Sequence, residues 1–322
     1  MKKIISIILA LTLLALSGCG IKKEEATVIR IGGLKGATSI GLVKVMEDNA
    51  NSKALNKYEF TIAGSADEIT PKLIHGDLDI AAVPANLASV LYNNTDGAVK
   101  LLAINTLGVL YIVDKNSNVT KLSDLKGKTI YATGKGSAPE YTLRYILSKN
   151  GIDPDKDVTI EWKSEPTEVV ALLAKSESGV AMMPQPYVTI ASSQVKGLNV
   201  ALDLTKEWNT VNKDSKLLTG VIVVRKDFAE NHPKALSDFL KEYEASTKYV
   251  NSNVKEASQL VEKFNIIAKA AIAEKAIPYC NITFVSGDEM KTAMSGYLKV
   301  LYDQNPASIG GKLPGDEFYF KK

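Results

Sequence analysis

Between Gly36 and Gly41 the sequence reads GATSIG, the G-x-x-x-x-G spacing that opens a Walker A phosphate loop. The Lys and Ser or Thr that would hold a triphosphate and its metal are replaced by Leu42 and Val43. Triphosphate chemistry is therefore excluded, and the loop needs another use. A helix N-terminus supplies one, because its unpaired N–H groups and positive dipole end grip an anion or a polar oxygen without a cation. Thr38 and Ser39 open such a helix, Asn86 follows the turn at Pro84, and Asn105 and Thr106 close the run VKLLAINT. A second set of the same chemical kind comprises Ser137, Ala138 and Glu140, followed by Gln185 and Tyr187 after Pro184. These residues are the candidate ligand contacts. Thr38, Ser39 and Ser137 serve equally well as N-caps of their own helices. Glu140 in a first turn also complements the helix dipole. Tyr187 is either a stacking platform or a packing residue. Lys35 and Lys135, in glycine turns, are second choices as anion clamps because such side chains are usually solvated.

Residues for covalent or acid–base chemistry are scarce. The chain has two histidines, His75 and His232, and they show no metal-ligand spacing. Its two cysteines are Cys19 and Cys280, and the surroundings of the second, AIPYCNITF, suit a buried apolar residue better than a nucleophile. No cofactor is expected. The net charge of +3 falls to about +1 once Lys2 and Lys3 are removed with a leader, so nucleic acid is not an expected partner.

The elements that position the candidates come in two copies offset by one hundred residues. Lys35-Gly36 recurs as Lys135-Gly136, each after an apolar run (TVIRIGG, KTIYATG) and before a helix. DEITPKLI faces TEVVALLA, and DIAAVPAN faces GVAMMPQP, bringing Pro84 onto Pro184. The alternation predicts an α/β fold with parallel sheets covered by helices. Strands are predicted near 28–32, 58–62, 79–83 and 99–104, then 129–133, 158–162, 179–183 and 199–202, with Trp162 at a strand end. Helices fall near 39–49, 66–75, 138–149 and 167–174. Each copy is followed by a β-branched run, LGVLYIVDK and TGVIVVRKD, which would carry the chain between two lobes. The last hundred residues read as helices padding the first lobe. His232-Pro233 starts one of them, and Ser286 to Glu289 is a capping-box start for another.

The N-terminus reads differently. Lys2 and Lys3 precede an apolar stretch, Ile4–Leu16, that is short for a membrane span and ends in LSGC. It resembles a bacterial lipoprotein signal, which implies cleavage after residue 18 and lipid on Cys19. GIKKEEAT would then tether the body, reaching roughly 25 Å if extended.

Taken together, the lipobox, GLKGATSIGLVKVME, AGSADEITPKLIHGDLDIAAVPANLASVLY, LSDLKGKTIYATGKGSAPEYTLRYILSKNGI, GVAMMPQPYV and GGKLPGDEFYF resemble one family. It is that of ABC-transporter solute-binding proteins for nitrate, taurine, aliphatic sulfonates and thiamine precursors. The resemblance implies a type II periplasmic-binding-protein fold: two α/β lobes with parallel or mixed sheets, joined by a hinge of two crossing strands. The expected division is a signal peptide (1–18), a tether (19–27), lobe one (28–113 and 222–322) and lobe two (114–221). It further implies a monomer, lipid-anchored on the extracytoplasmic face of the cell membrane. Such a protein captures a small solute in the inter-lobe cleft and passes it to an ABC permease driven by its ATPase. An enzyme on the same fold is the alternative, and it would have to rest acid–base work on Glu140. The cleft stretches contain no Arg for a dianion, Arg144 lying deeper in its helix. Two solute classes remain: a small sulfonate- or nitrate-like monoanion, and an uncharged or weakly basic heteroaromatic. Glu140, as an acceptor, favours the second.

Overall fold

The computed structural model describes residues 27–321, so the leader, Cys19 and most of the tether lie outside the described residues. In chain order the first half runs β1 (Val28–Leu34), α1 (Ala37–Ile40), α2 (Val43–Ala50), β2 (Lys57–Ala63), α3 (Ala66–His75), β3 (Ile80–Pro84), α4 (Ala85–Asn94) and β4 (Val99–Leu107). The second runs β5 (Leu110–Lys115), β6 (Thr129–Thr133), α5 (Ala138–Lys149), β7 (Thr159–Lys163), α6 (Pro166–Lys175), β8 (Gly179–Pro184), α7 (Tyr187–Gln194), β9 (Leu198–Asp203) and α8 (Leu204–Val211). The chain then returns through β10 (Leu218–Arg225), α9 (Lys226–Asn231), α10 (Pro233–Ser252), α11 (Val254–Lys263), α12 (Ala270–Ala276), β11 (Ile282–Val285) and α13 (Gly287–Gln304).

Two mixed sheets result, ordered β11-β4-β10-β3-β1-β2 and β7-β6-β8-β5-β9. Their registers preserve the repeat. Ile31 and Gly32 of β1 face Ile80 and Ala81, while Ile130 and Tyr131 of β6 face Val180 and Ala181. Each sheet takes one antiparallel strand from the chain arriving from the other: β10 sets Gly220 opposite Pro84, and β5 sets Leu110 opposite Pro184. The strands flanking the centre are buried on both faces, which explains their continuous apolar runs.

The exchange corrects the predicted lobe boundaries. Strand β5 belongs wholly to the second sheet and β10 wholly to the first, so only Gly108-Val109 of the first β-branched run crosses the gap and none of the second does. An exchanged strand must run its full length in the receiving sheet to satisfy its backbone. The crossings therefore fall at Gly108-Val109 and at the segment entering β10, a few residues ahead of 113/114 and 221/222. They pass in close contact: a Cβ on Gly108 would stand 2.2 Å from Thr205 Oγ1 and 2.7 Å from Leu217 Cδ2.

Two further expectations change. The helix predicted over 39–49 breaks at Gly41-Leu42, because the Gly41 carbonyl accepts from Ser246 Oγ (2.6 Å) on α10. The Ser246 oxygen in turn accepts from Lys44 N (3.2 Å), so one hydroxyl serves both ends of the break. The capping box at Ser286 does not form: Ser286 is the N-cap residue without a side-chain bond, and Glu289 pairs with Lys216 at 2.8 Å. Nor do the C-terminal helices serve lobe one alone. Asn305, just past α13, donates to Tyr141 of α5 (2.9 Å), and the Tyr297 ring lies 5.9 Å from that of Trp208.

Candidate functional site

Parallel strands deliver their following loops to one edge of the sheet, and here the two edges face one another. Between them lies a cavity of about 400 Å³. Lobe one contributes Thr38, Ala66, Pro84, Asn86 and Leu87; lobe two contributes Ser137, Ala138, Pro139, Thr142 and Pro184. The crossings close its back with Val109, Leu110, Leu217, Leu218 and Thr219. The loops of the two lobes also approach each other outside the wall, where a Cβ on Gly36 would be 3.9 Å from Pro186 Cδ.

Of the candidate contacts, Thr38, Asn86, Ser137 and Ala138 line this cavity. Thr38 is held from behind: Asn105 Nδ2 donates to its carbonyl at 2.9 Å. Asn105, Thr106 and Ser39 are themselves buried and are not in the wall. Behind Thr38 they form a polar floor, in which Ser39 Oγ and Thr106 Oγ1 have no hydrogen-bond partner among the described residues. Thr38 and Ser39 are not N-caps; Gly36 holds that position, at φ 104°. Asn86 donates to the Ser308 carbonyl (3.1 Å), and Ser137 Oγ donates to the Gly134 carbonyl (2.7 Å), which tightens its own turn.

Glu140, Gln185 and Tyr187 go elsewhere. Glu140 accepts from the Gly136 N–H (2.7 Å) and from Arg144 Nε (2.9 Å), and Arg144 continues to Asp155 (2.8 Å). Those two carboxylates raise the Arg144 pKa, Asp155 foremost. Glu140 is thus a loop clasp, and the acceptor expected to favour a basic solute is absent from the cavity wall. Gln185 is buried and accepts from Thr189. It lines a separate hollow of about 680 Å³ with Asp203, Glu207, Lys275 and Tyr279, to which neither glycine loop contributes. Tyr187 packs against the Val113–Val169–Met183 cluster, and burial foremost, with Glu165 second, raises its phenol pKa. Lys35 and Lys135 are exposed, and Trp162 packs against the main core.

Thr142 is the residue that sequence reasoning missed. It lies four positions after Ala138 on α5, so the helical period alone places both on one face. It is fully buried, and its Oγ1 has no partner among the described residues. Leu217, Leu218 and Thr219 gave no comparable signal, because only the strand exchange brings them to the cavity.

The groups suited to covalent chemistry are not in the wall. Cys280 is buried in the lobe-one core, where desolvation pushes its thiol up to about 12. His75 and His232 do not line the cavity. Among the described residues no cluster of His, Cys, Asp or Glu is placed to hold a metal ion, and no helix is long and apolar enough to cross a membrane.

Two lobes with exchanged strands and a cavity at their facing loops define the type II periplasmic-binding-protein class. Within it, residues 51–275 match the family described as ABC transporter, phosphonate, periplasmic substrate-binding protein, and the chain belongs to that family. Among solved structures, an ABC transporter protein from Parabacteroides distasonis superposes with a TM-score of 0.78 at 24% identity, covering 92% of this chain and 99% of that one. The aliphatic sulphonate binding protein SsuA from Escherichia coli gives 0.69 at 16% identity, over 89% and 92% of the two chains. The nitrate-binding protein NrtA from Synechocystis PCC 6803 gives 0.60 at 16%, over 88% and 82%. A curated binding protein of Brucella abortus (strain 2308) is 24% identical over 186 residues, 58% of this chain. The match spans 56% of that relative's length.

Proposed function

We propose that this chain is the extracytoplasmic solute-binding component of an ABC importer, held to the membrane as a monomer by lipid on Cys19. It captures a small organic solute between its lobes and presents the closed form to a permease powered by a cytoplasmic ATPase. The observation that carries this reading is the cavity walled by Thr38 from one lobe, Ser137 from the other and Leu217 from the crossings. Its volume lies within the roughly 300–1,000 Å³ usual for small-molecule sites. The two crossings are short and adjacent, so modest backbone changes at Gly108-Val109 and before Leu218 swing one sheet against the other. An enzymatic role gains no support, because Glu140 is committed to Gly136 and Arg144, and Cys280 lies in the core.

The test uses dialysed protein and fractions of a small-molecule extract of the host's growth medium. At least one fraction should raise the melting temperature of the wild type. The Thr38→Ala/Ser137→Ala double variant, its own melting temperature lowered by only a few degrees through loss of the Ser137–Gly134 bond, should lose that response. If no fraction stabilises the wild type, the solute-binding reading fails.

A further inference from the structure

Resting on the solute-binding reading above, we infer that the solute is an uncharged organic molecule with a largely apolar body, and that Thr142 gives it a hydroxyl partner. Among the described residues the wall contains no Asp, Glu, Lys, Arg or His, and its larger side chains are Leu87, Val109, Leu110, Leu217 and Leu218. A buried ion with no counter-charge carries a large desolvation penalty. Helix N-termini are the remaining way to hold an anion; the α4 end at Pro84, Asn86 and Leu87 carries no acid, but at α3 and α5 the protein's own carboxylates take the loop N–H groups. At the α3 end Glu68 accepts from the N–H groups of Gly64 (3.0 Å) and Ser65 (3.1 Å). At the α5 end Glu140 accepts from Gly136 N–H, while Pro139 has no N–H to offer. The short α1 has no carboxylate in its first turn, but its four residues are all buried.

An entering phosphonate or sulfonate would therefore meet two carboxylates behind the loops and no facing cation, since Arg144 is held by Glu140 and Asp155. A cation would find no carboxylate in the wall, because Glu68 is turned to its own loop and Glu140 is paired with Arg144. A neutral molecule incurs neither cost and gains from the apolar wall. Thr142 supplies the independent observation. Its hydroxyl is buried in the cavity wall without a partner among the described residues, and such a group is costly unless something hydrogen-bonds to it. A solute carbonyl, hydroxyl or ring nitrogen satisfies it by a turn about χ1.

The experiment is a thermal-shift and calorimetric comparison of size-matched pairs on dialysed protein: nicotinamide against nicotinate, indole-3-acetamide against indole-3-acetate, with methylphosphonate alone. Wherever a growth-medium fraction stabilises the protein, its active solute is isolated and its charge at pH 7 read from electrophoretic mobility. Stabilisation confined to neutral members, or a neutral isolated solute, bears the inference out. Preferential stabilisation by nicotinate, indole-3-acetate or methylphosphonate, or a charged isolated solute, overturns it and leaves the solute-binding reading standing. No stabilisation by any probe or fraction overturns that reading instead. With the neutral ligand so found, Thr142→Val should weaken binding about two- to tenfold without lowering the melting temperature, the range expected for one neutral hydrogen bond. Thr142→Ser should restore the affinity. Wild-type affinity in Thr142→Val removes Thr142 from the proposal.

Discussion

In lobe one the Lys35-Gly36 loop leads into a four-residue helix that is buried throughout and held from a distance. Asn105 grips Thr38, Ser246 grips Gly41, and the Ile266 carbonyl accepts from Gly36 N–H at 3.2 Å. In lobe two the Lys135-Gly136 loop leads into a twelve-residue helix and is held by neighbours in sequence. Ser137 bonds Gly134, and Glu140 bonds Gly136. Two loops equivalent in the repeat thus reach the same cavity by opposite means. The lobe-one jaw is as rigid as the C-terminal helices beneath it, whereas the lobe-two jaw is a self-contained turn. Substitutions should therefore propagate in lobe one and stay local in lobe two.

The largest separation is expected at alkaline pH. Burial pushes the Cys280 thiol up to about 12, and burial foremost, with Asp316 second, pushes the Tyr319 phenol to about 12 as well. Both pack in or onto lobe one, Tyr319 bridging to Leu101 of β4, and burial also raises Tyr58 and Tyr243 there, against Tyr111 and Tyr187 in lobe two. Each group stays protonated in the folded chain while the unfolded chain ionises from about pH 9 or 10 upward. Between those values and pH 12 the unfolded state binds fewer protons, so stability falls as pH rises, by an amount on the order of several kcal/mol in all. Alkylation of Cys280 reports this directly. At pH 8 it should be limited by unfolding, and above pH 10 it should accelerate before hydrogen exchange rises in α5 and α6. Simultaneous opening of both lobes would break the asymmetry.

Next in size are substitutions in the lobe-one floor. A Cβ on Gly220 would lie 2.5 Å from Asn105 Oδ1 and 2.6 Å from Thr38 Cγ2, so Gly220→Ala overpacks the joint that holds the jaw. A loss of about 1–3 kcal/mol by urea unfolding is expected, together with weaker solute binding. Ser246→Ala leaves the Gly41 carbonyl and the Lys44 N–H without their partner and should cost about 1–3 kcal/mol. At the lobe-two counterpart, Gly136, an added Cβ would meet nothing within 4 Å, which leaves its φ of +74° as the obstacle. Gly136→Ala should therefore cost about 1 kcal/mol and leave lobe one untouched.

The same contrast explains what the sequence discloses. The hundred-residue repeat points to two matching sets of strands and helices with parallel sheets, because hydrophobic period and loop chemistry are local properties; which strands pair comes only from the structure. The repeat also points to Thr38, Asn86, Ser137 and Ala138 as residues at the facing edges. The strand exchange is legible only as two β-branched runs, since nothing local says which sheet a buried strand joins. The break at Gly41 depends on Ser246, 205 positions away, and no local pattern announces it. Glu140 is legible by type and position as a first-turn acid. What the sequence leaves open is its direction, toward the solute or back to Gly136 and Arg144, and that depends on rotamer and on Asp155, eleven residues on from Arg144.

Glu140→Gln gives the smallest effect on stability and the sharpest test of the comparison. The amide keeps an acceptor for Gly136 N–H but removes the charge that offsets the α5 N-terminus and pairs with Arg144. A half-buried pair of this kind, already shared with Asp155, contributes up to about 1 kcal/mol, so the melting temperature should move by only a few degrees. The selectivity should move more. With the carboxylate gone, the positive end of α5 faces the cavity uncompensated, and nicotinate should gain affinity relative to nicotinamide. Removing the carboxylate of Glu68 in the same way should act at the α3 end, independently, because that residue clasps its own loop at Gly64 and Ser65. Additive gains for anions in the double variant would show that each lobe screens its own helix end. An unchanged nicotinate-to-nicotinamide ratio in Glu140→Gln would mean that the clasp is purely mechanical and the exclusion of anions lies in the apolar wall.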